Sequence, residues 1–298
     1  MPFRSGPRLI VALLLAATSV TCKAPSAARS DASADPAQPD AVALAAPSAT
    51  PPRGAPSAAA PHATLAASKA TAGEEWRSPT LGVMKWVPPG TFTMGSPPSE
   101  PGRYRDESAH PVTLTRGFWM MESELTQGAW SAVMGSNASS PASCGADCPV
   151  TDVSWDDAQA FAKRAAERDG VTYRLATEAE WERAARGGED HLYAGSDSAE
   201  AVGWVAGGGL HPVCKLARNG YGLCDMTGNV WEWVADWYGP YATAGSTDPV
   251  GAATGSMRVL RGGGTLVARR NLRVARRDET ISSARSPFIG FRLVRGAP

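Results

Sequence analysis

Histidine is scarce in this chain: four among 298 residues, at His62, His110, His191 and His211. No two of them stand four apart, so a metal site carried by two histidines on one helix face is excluded. The sequence holds no Walker A phrase, no G-x-G-x-x-G and no G-x-S-x-G. The common phosphate loops and the nucleophile elbow are therefore missing. Charge of one sign is also lacking. Lys plus Arg and Asp plus Glu number 29 each, which argues against a nucleic-acid partner. No apolar run reaches the roughly 18–20 residues of a membrane-spanning helix. Tyr and Phe are few, six of each, against ten Trp. The chain is instead rich in Gly and Pro, with 31 and 24, so turns and irregular backbone are abundant.

The first residues read as an export signal. Arg4 and Arg8 form a short basic region, and Leu9 to Ala17 is an uninterrupted apolar run. Such a run is too short to span a bilayer and suits a signal-peptide core. Small residues come next, then Cys22. We expect residues 1–22 to be a signal peptide, with Cys22 as a lipid attachment point, although Ser19 stands where a bacterial lipobox usually has Leu. Residues 23–73 are dominated by Ala, Pro and Ser, with no aromatic residue. They cannot bury enough apolar surface to offset ordering entropy, and they read as a disordered tether. The expected location is periplasmic or on the outer membrane as a lipoprotein, otherwise secreted; the membrane is a partner only through acylated Cys22.

Every Trp lies after the tether, so the folded domain is expected over 74–298, α+β and loop-rich. Val83 to Val87 and Gly90 to Met94 read as two short strands around a Pro88-Pro89-Gly90 turn. Pro111 to Met121 reads as one further strand. Thr126 can cap a helix through Met134, stopped by Gly135. Ser154 and Asp157 form an acidic capping box for Trp155 to Arg168, ended by Gly170. Thr177 and Glu180 form a full capping box for the next helix, ended by Gly187-Gly188. Helix signals disappear from residue 189 onward.

With Cys22 set apart, four cysteines remain. In an exported chain an even set at short spacing reads as disulfides. The local pairs are Cys144 with Cys148 and Cys214 with Cys224. The alternative, a cysteine metal site, needs thiols kept reduced outside the cytoplasm.

Several phrases occur in order: Gly90-Thr91-Phe92-Thr93-Met94-Gly95-Ser96, Val153-Ser154-Trp155-Asp156-Asp157-Ala158, Tyr173-Arg174-Leu175-Ala176-Thr177-Glu178-Ala179-Glu180-Trp181-Glu182, Gly222 to Trp233, Arg258-Val259-Leu260-Arg261-Gly262-Gly263, and Gly290-Phe291-Arg292. Together they resemble the sulfatase-modifying-factor domain, that of formylglycine-generating enzyme. The resemblance covers about residues 83–295. It implies a single α+β domain related to C-type lectins. It also implies an oxidase that converts a sulfatase Cys to formylglycine with copper, held by two Cys a few residues after the Arg-Gly-Gly phrase. Here that phrase continues Gly264-Thr265-Leu266-Val267-Ala268-Arg269-Arg270-Asn271-Leu272-Arg273, with no Cys, and the last cysteine of the chain is Cys224. Copper(I) needs soft ligands, so copper and this oxidation are not expected.

The resemblance also implies calcium, held by the Asp225 and Glu232 side chains and the Gly228 and Val230 carbonyls. Carboxylate and carbonyl oxygens suit that hard cation. The competing reading pairs Glu232 with a core Arg. Trp231, Trp233 and Trp237 read as core, or one of them as a ligand-stacking ring. Arg261, Arg273, Arg276 and Arg292 match positions that look structural in the family. Arg269, Arg270 and Arg277 do not, and they are the candidates for a ligand groove. The expected function is an exported, non-catalytic binding or scaffold module for a protein, peptide or anionic ligand. The alternative is an enzyme of the same family, acting in protein or siderophore maturation by a copper-independent oxidation.

Overall fold

The computed structural model describes residues 70–139, 144–205, 208–242 and 244–296. All of them fall in one unit spanning residues 61–298. The expected signal peptide, Cys22 and the tether up to residue 69 lie outside the described residues. The end of the expected tether is part of the fold: the Gly73 amide donates to the Trp86 carbonyl at 3.0 Å.

The helices start where side-chain oxygens can take up free amides. Helix α1 is Gln127–Met134, capped by Thr126 and ended by Gly135 in the left-handed region. Helix α2 is Trp155–Asp169, with the Ser154–Asp157 capping box and Gly170 at its end. Helix α3 is Glu178–Arg186, with the Thr177–Glu180 box and Gly187 at its end. A fourth, α4, is only Ala199–Val202. These caps satisfy amides and carbonyls that the helix termini leave unpaired.

The strands are short: β1 Glu75–Ser78, β2 Gly82–Val87, β3 Gly90–Met94, β4 His110–Leu114, β5 Phe118–Met121 and β6 Arg174–Leu175. The later ones are β7 Trp231–Trp237, β8 Ser246–Thr247, β9 Arg258–Arg261, β10 Arg277–Thr280, β11 Ile289–Phe291 and β12 Leu293–Gly296. They form three sheets, ordered β1-β2-β5-β12-β6, β10-β9-β7-β11 and β3-β4-β8. The two strands expected around Pro88-Pro89 are β2 and β3, and they join different sheets: β2 pairs with β1 and β5, and β3 with β4. One expectation is corrected. Pro111 to Met121 is not one strand but two, β4 and β5, in different sheets. The break has a steric cause. A Cβ on Gly117 would lie 2.3 Å from the Trp86 ring, so the chain crosses that ring only as glycine.

Strand β7 is buried along most of its length and divides two apolar clusters. Trp231 and Trp233 face one, with Trp130, Phe161 and Phe291. Val234 faces the other, with Trp181, Val259 and Val274. This is the period-two alternation of a strand buried on both faces. Trp237 sits beyond an irregularity in the β7–β9 register, and the Arg258 guanidinium lies 3.4 Å over its ring.

Buried arginines tie these pieces together. Arg261 in β9 has no exposed surface and bonds Glu178 at 3.0 Å and Glu182 at 2.6 Å, both in α3. Arg277 in β10 bonds the other oxygen of Glu178 at 2.8 Å. Arg273 bonds Glu107 through two nitrogens at 2.8 Å each. Removing one partner of such a pair strands a buried charge and costs about 3–5 kcal/mol. Arg261→Met is therefore expected to lower the urea-unfolding free energy by about that amount. A loss below about 1 kcal/mol, the range of exposed pairs, would contradict this role.

Candidate functional site

The Gly222 to Trp233 phrase runs into β7 and carries all four expected calcium positions, Asp225, Gly228, Val230 and Glu232. Asp225 and Asn229 both have positive φ, 53° and 60°. Gly228 also does, at 82°, and a Cβ there would meet the Trp204 carbonyl at 2.9 Å. The turn between them thus packs tightly against residue 204.

Glu232 is fully buried, and both its oxygens are taken. Arg292 binds them in a fork, Nη2 to Oε1 and Nε to Oε2, each at 2.8 Å. Trp181 donates its indole N–H to Oε2 at 2.9 Å. Arg292 also reaches the carbonyls of Cys224 and Asp225, at 3.0 and 3.2 Å. Glu232 thus accepts three hydrogen bonds, two of them from the Arg292 guanidinium, so a cation at the four expected calcium positions would sit beside that charge. The competing ion-pair reading is the one that describes Glu232. Asp225 differs: Oδ2 accepts the Cys214 amide at 2.5 Å, while Oδ1 is buried with no hydrogen-bond partner. Burial raises the Asp225 carboxyl above its usual value.

Glu124 joins this neighbourhood, and no sequence signal marked it. It is fully buried, its carboxylate takes the Asn229 side-chain amide at 3.2 Å, and burial pushes its pKa well above the usual carboxylate range. Asp225 and Glu232 push in the same direction.

All four described cysteines are in disulfides, Cys144 with Cys148 and Cys214 with Cys224. The chain beyond Gly263 carries no thiol and forms one wall of a cavity of about 260 Å³. The cavity is lined by Trp231, Leu260, Gly264, Leu266, Val267, Asp278, Glu279, Ser286, Phe288 and Ile289. None of these is Cys, His or Met. The Thr265 amide bonds the Asn229 carbonyl at 3.1 Å, which holds this wall against the turn before β7. Leu266 is well exposed. Trp231 packs in the core and also lines the cavity.

The structure does not bring the three groove candidates together. Arg277 is corrected outright: it is buried, paired with Glu178 and stacked 4.0 Å from the Tyr241 ring. Arg269 is exposed and pairs with Glu200. Arg270 is exposed, with Tyr104 as its ring neighbour at 5.7 Å. None of the three lines the cavity. The charge that does line it is acidic. Asp278 pairs with Arg276 at 3.1 Å. Among the described residues no cation pairs with Glu279, and burial, then Asp278, raises its carboxyl above the usual value. Asp278 and Glu279 are acids in an arginine-rich stretch, and their spacing in sequence does not connect them to Leu266 and Val267.

The Sulfatase-modifying factor enzyme 1-like domain family matches residues 69–297. A formylglycine-generating enzyme of Streptomyces coelicolor is 40% identical over 172 residues, covering 50% of this chain and 53% of that protein. An inactive Cα-formylglycine-generating enzyme 2 of Bos taurus is 34% identical over 170 residues, covering 50% of each. The chain thus spans about half the length of the curated relatives it matches. The solved structure of Treponema denticola variable protein 1 aligns with a TM-score of 0.69 at 27% identity, over 75% of this chain and 99% of that one. The match over most of the chain shows that it belongs to the Sulfatase-modifying factor enzyme 1-like domain family.

Proposed function

We propose that this chain is a non-catalytic binding module of its family, and that the cavity beyond the Arg-Gly-Gly phrase is its ligand site. One observation carries the reading. The segment that supplies copper thiolates in the resembling enzymes here supplies Leu266 and Val267 to an apolar cavity. Its lining offers no thiol, imidazole or thioether for redox chemistry, which also leaves the copper-independent oxidation without a side chain to perform it. Apolar walls with a few polar groups are the ordinary form of a ligand pocket. Glu279 and Asp278 favour a ligand with an apolar body and a cationic end, such as a peptide side chain of Arg or Lys, over the anionic ligand expected from the arginines. Export on a lipid-anchored tether belongs to the same proposal, supported by Arg4, Arg8, the Leu9 to Ala17 run and Cys22. Among the described residues no helix is long and apolar enough to cross a membrane. Kinship of the fold with C-type lectins is also proposed, from the family resemblance alone.

The binding reading is tested with two capped dipeptides, acetyl-Leu-Arg-amide and acetyl-Leu-Glu-amide, by titration calorimetry. The arginine peptide is expected to bind and the glutamate peptide not to. A hydrogen bond to a charged group is worth about 1.5–3 kcal/mol, so Glu279→Gln should weaken binding about tenfold or more. Because the cationic end prefers ionised Glu279, affinity should rise with pH through the raised Glu279 range. Equal binding of both peptides, or no effect of the variant, would refute the assignment.

Calcium is left out of the proposed function, because the Arg292 guanidinium already pairs with both oxygens of Glu232. An ion bound only to the native state at a hundredfold excess over its Kd stabilises by about 2.7 kcal/mol. The melting temperature is therefore expected to be the same in calcium and in chelator. A rise in calcium that Glu232→Gln abolishes would restore the cation.

A further inference from the structure

Of the two acids that line the cavity, Asp278 carries a cation and holds it loosely. Arg276 reaches Oδ2 of Asp278 with Nη2 alone, at 3.1 Å. Firm charge-assisted bonds from a guanidinium lie at about 2.7–2.9 Å and are often made in pairs. Arg261, Arg273 and Arg292 each bond carboxylates through two nitrogens, and all three are fully buried. Arg276 has no such second bond, and its Nε is buried without a hydrogen-bond partner. The Asp278 side chain is 40% exposed, which leaves it open to another cation. Its Oδ1 takes the Glu279 amide at 3.0 Å and so stays fixed whichever cation Oδ2 holds.

The Arg276 guanidinium also lies 4.2 Å over the Tyr104 ring and 5.9 Å from Trp231, which lines the cavity. Tyr104 is itself anchored, its hydroxyl donating to Asn271 Oδ1 at 2.8 Å. An aromatic face attracts a guanidinium with or without a carboxylate at its edge. Arg276 therefore has a resting place when it lets go of Asp278. Its charge acts inside the cavity: burial and Asp278 raise the Glu279 carboxyl, and Arg276 pulls it back down.

We propose that Arg276 is a built-in competitor at the ligand cavity, holding on Asp278 the place that the ligand's cationic end takes, a role that exists only if the cavity is the ligand site. Binding is then an exchange. The ligand's cation replaces Arg276 on Oδ2, and the displaced guanidinium stays over Tyr104. The exchange sets selectivity. A neutral ligand leaves the Arg276–Asp278 pair in place and has to fit beside it. An anionic ligand meets Glu279, which no cation covers among the described residues. A cationic ligand replaces the broken pair with its own bond to Asp278 and also faces Glu279. A site whose open form is only a fraction of the population binds with its affinity reduced by that fraction. Arg276 thus holds the cavity below the affinity that its two carboxylates would otherwise give.

The test is a double-mutant cycle on the full chain, read by titration calorimetry with acetyl-Leu-Arg-amide. Arg276→Met keeps an apolar stem against Tyr104 and removes the competing charge. It should bind the peptide about tenfold more tightly than the parent, the scale of a hydrogen bond to a charged group. Arg276→Gln, which keeps a polar end, should tighten binding as well. A charge that only repels from a distance gives the same gain, so Asp278→Asn supplies the control. Glu279 still holds the peptide in that background, but the contested carboxylate is gone. Adding Arg276→Met to Asp278→Asn should therefore change the affinity by less than about twofold, the ordinary error of additivity. A gain of equal size in both backgrounds overturns the proposal. Weaker binding by both Arg276 variants, as from a residue that only props the wall, also overturns it. When the parent binds and neither Arg276 variant binds better, the competitor falls and the cavity reading stands. When no chain binds the peptide, the cavity reading falls and the competitor with it.

Discussion

The fold hangs on a buried guanidinium. Arg261 lies in a strand of four residues, without exposed surface, and holds two carboxylates of α3. The strands run from two to seven residues, so backbone ladders alone hold little of the chain between them. A buried charge is costly unless it is paired and hydrogen-bonded, and here both Nη1 and Nη2 bond carboxylates while Nε has no partner. Its partners extend the clamp. The free oxygen of Glu182 takes the Gly95 amide at 2.8 Å and Arg186 at 2.7 Å. The free oxygen of Glu178 takes Arg277. One cluster thereby joins α3, the end of β3, β9 and β10.

That clamp also positions the cavity. Directly after Arg261, Gly262 and Gly263 take φ of 90° and 77°, and the chain turns towards Trp231. A Cβ on Gly263 would lie 2.6 Å from Leu272 and 2.7 Å from the Asn271 carbonyl, so the turn is closed to any other residue. The Gly262 carbonyl accepts the Gly228 amide at 2.9 Å. The Arg-Gly-Gly phrase is therefore architectural in this chain. The residues after it, Leu266 and Val267, line the cavity without taking part in the clamp. This separation of frame from site is how one fold hosts different activities.

The three longer helices were legible because their signals are local, whereas α4, Ala199–Val202, falls where no helix was expected and has no side-chain cap bond from Ser198. Thr126, Ser154 and Thr177 each bond an amide three residues on, and Gly135, Gly170 and Gly187 each end a helix in the left-handed region. The sheets were not legible. Which strands pair depends on residues far apart in sequence, such as Leu293 against Leu175. The steric stop at Gly117 comes from Trp86, a contact that no local pattern encodes. The same limit applied to the site. Glu232 and Arg292 were named, but only the fold shows that they pair with each other. Arg277 and its neighbours looked alike as a charge run, yet one is buried and two are exposed. Glu124 carries no motif and enters through burial beside Asn229.

The central proposal is that this member of the family binds a ligand and does not carry out the formylglycine-forming oxidation. The direct measurement is the mass of a peptide containing Cys-x-Pro-x-Arg after incubation with the full chain, copper(I) and oxygen. The account predicts that the cysteine keeps its sulfur at the rate of a protein-free control. Conversion of the cysteine to formylglycine, with loss of that sulfur at an enzymatic rate, would contradict it.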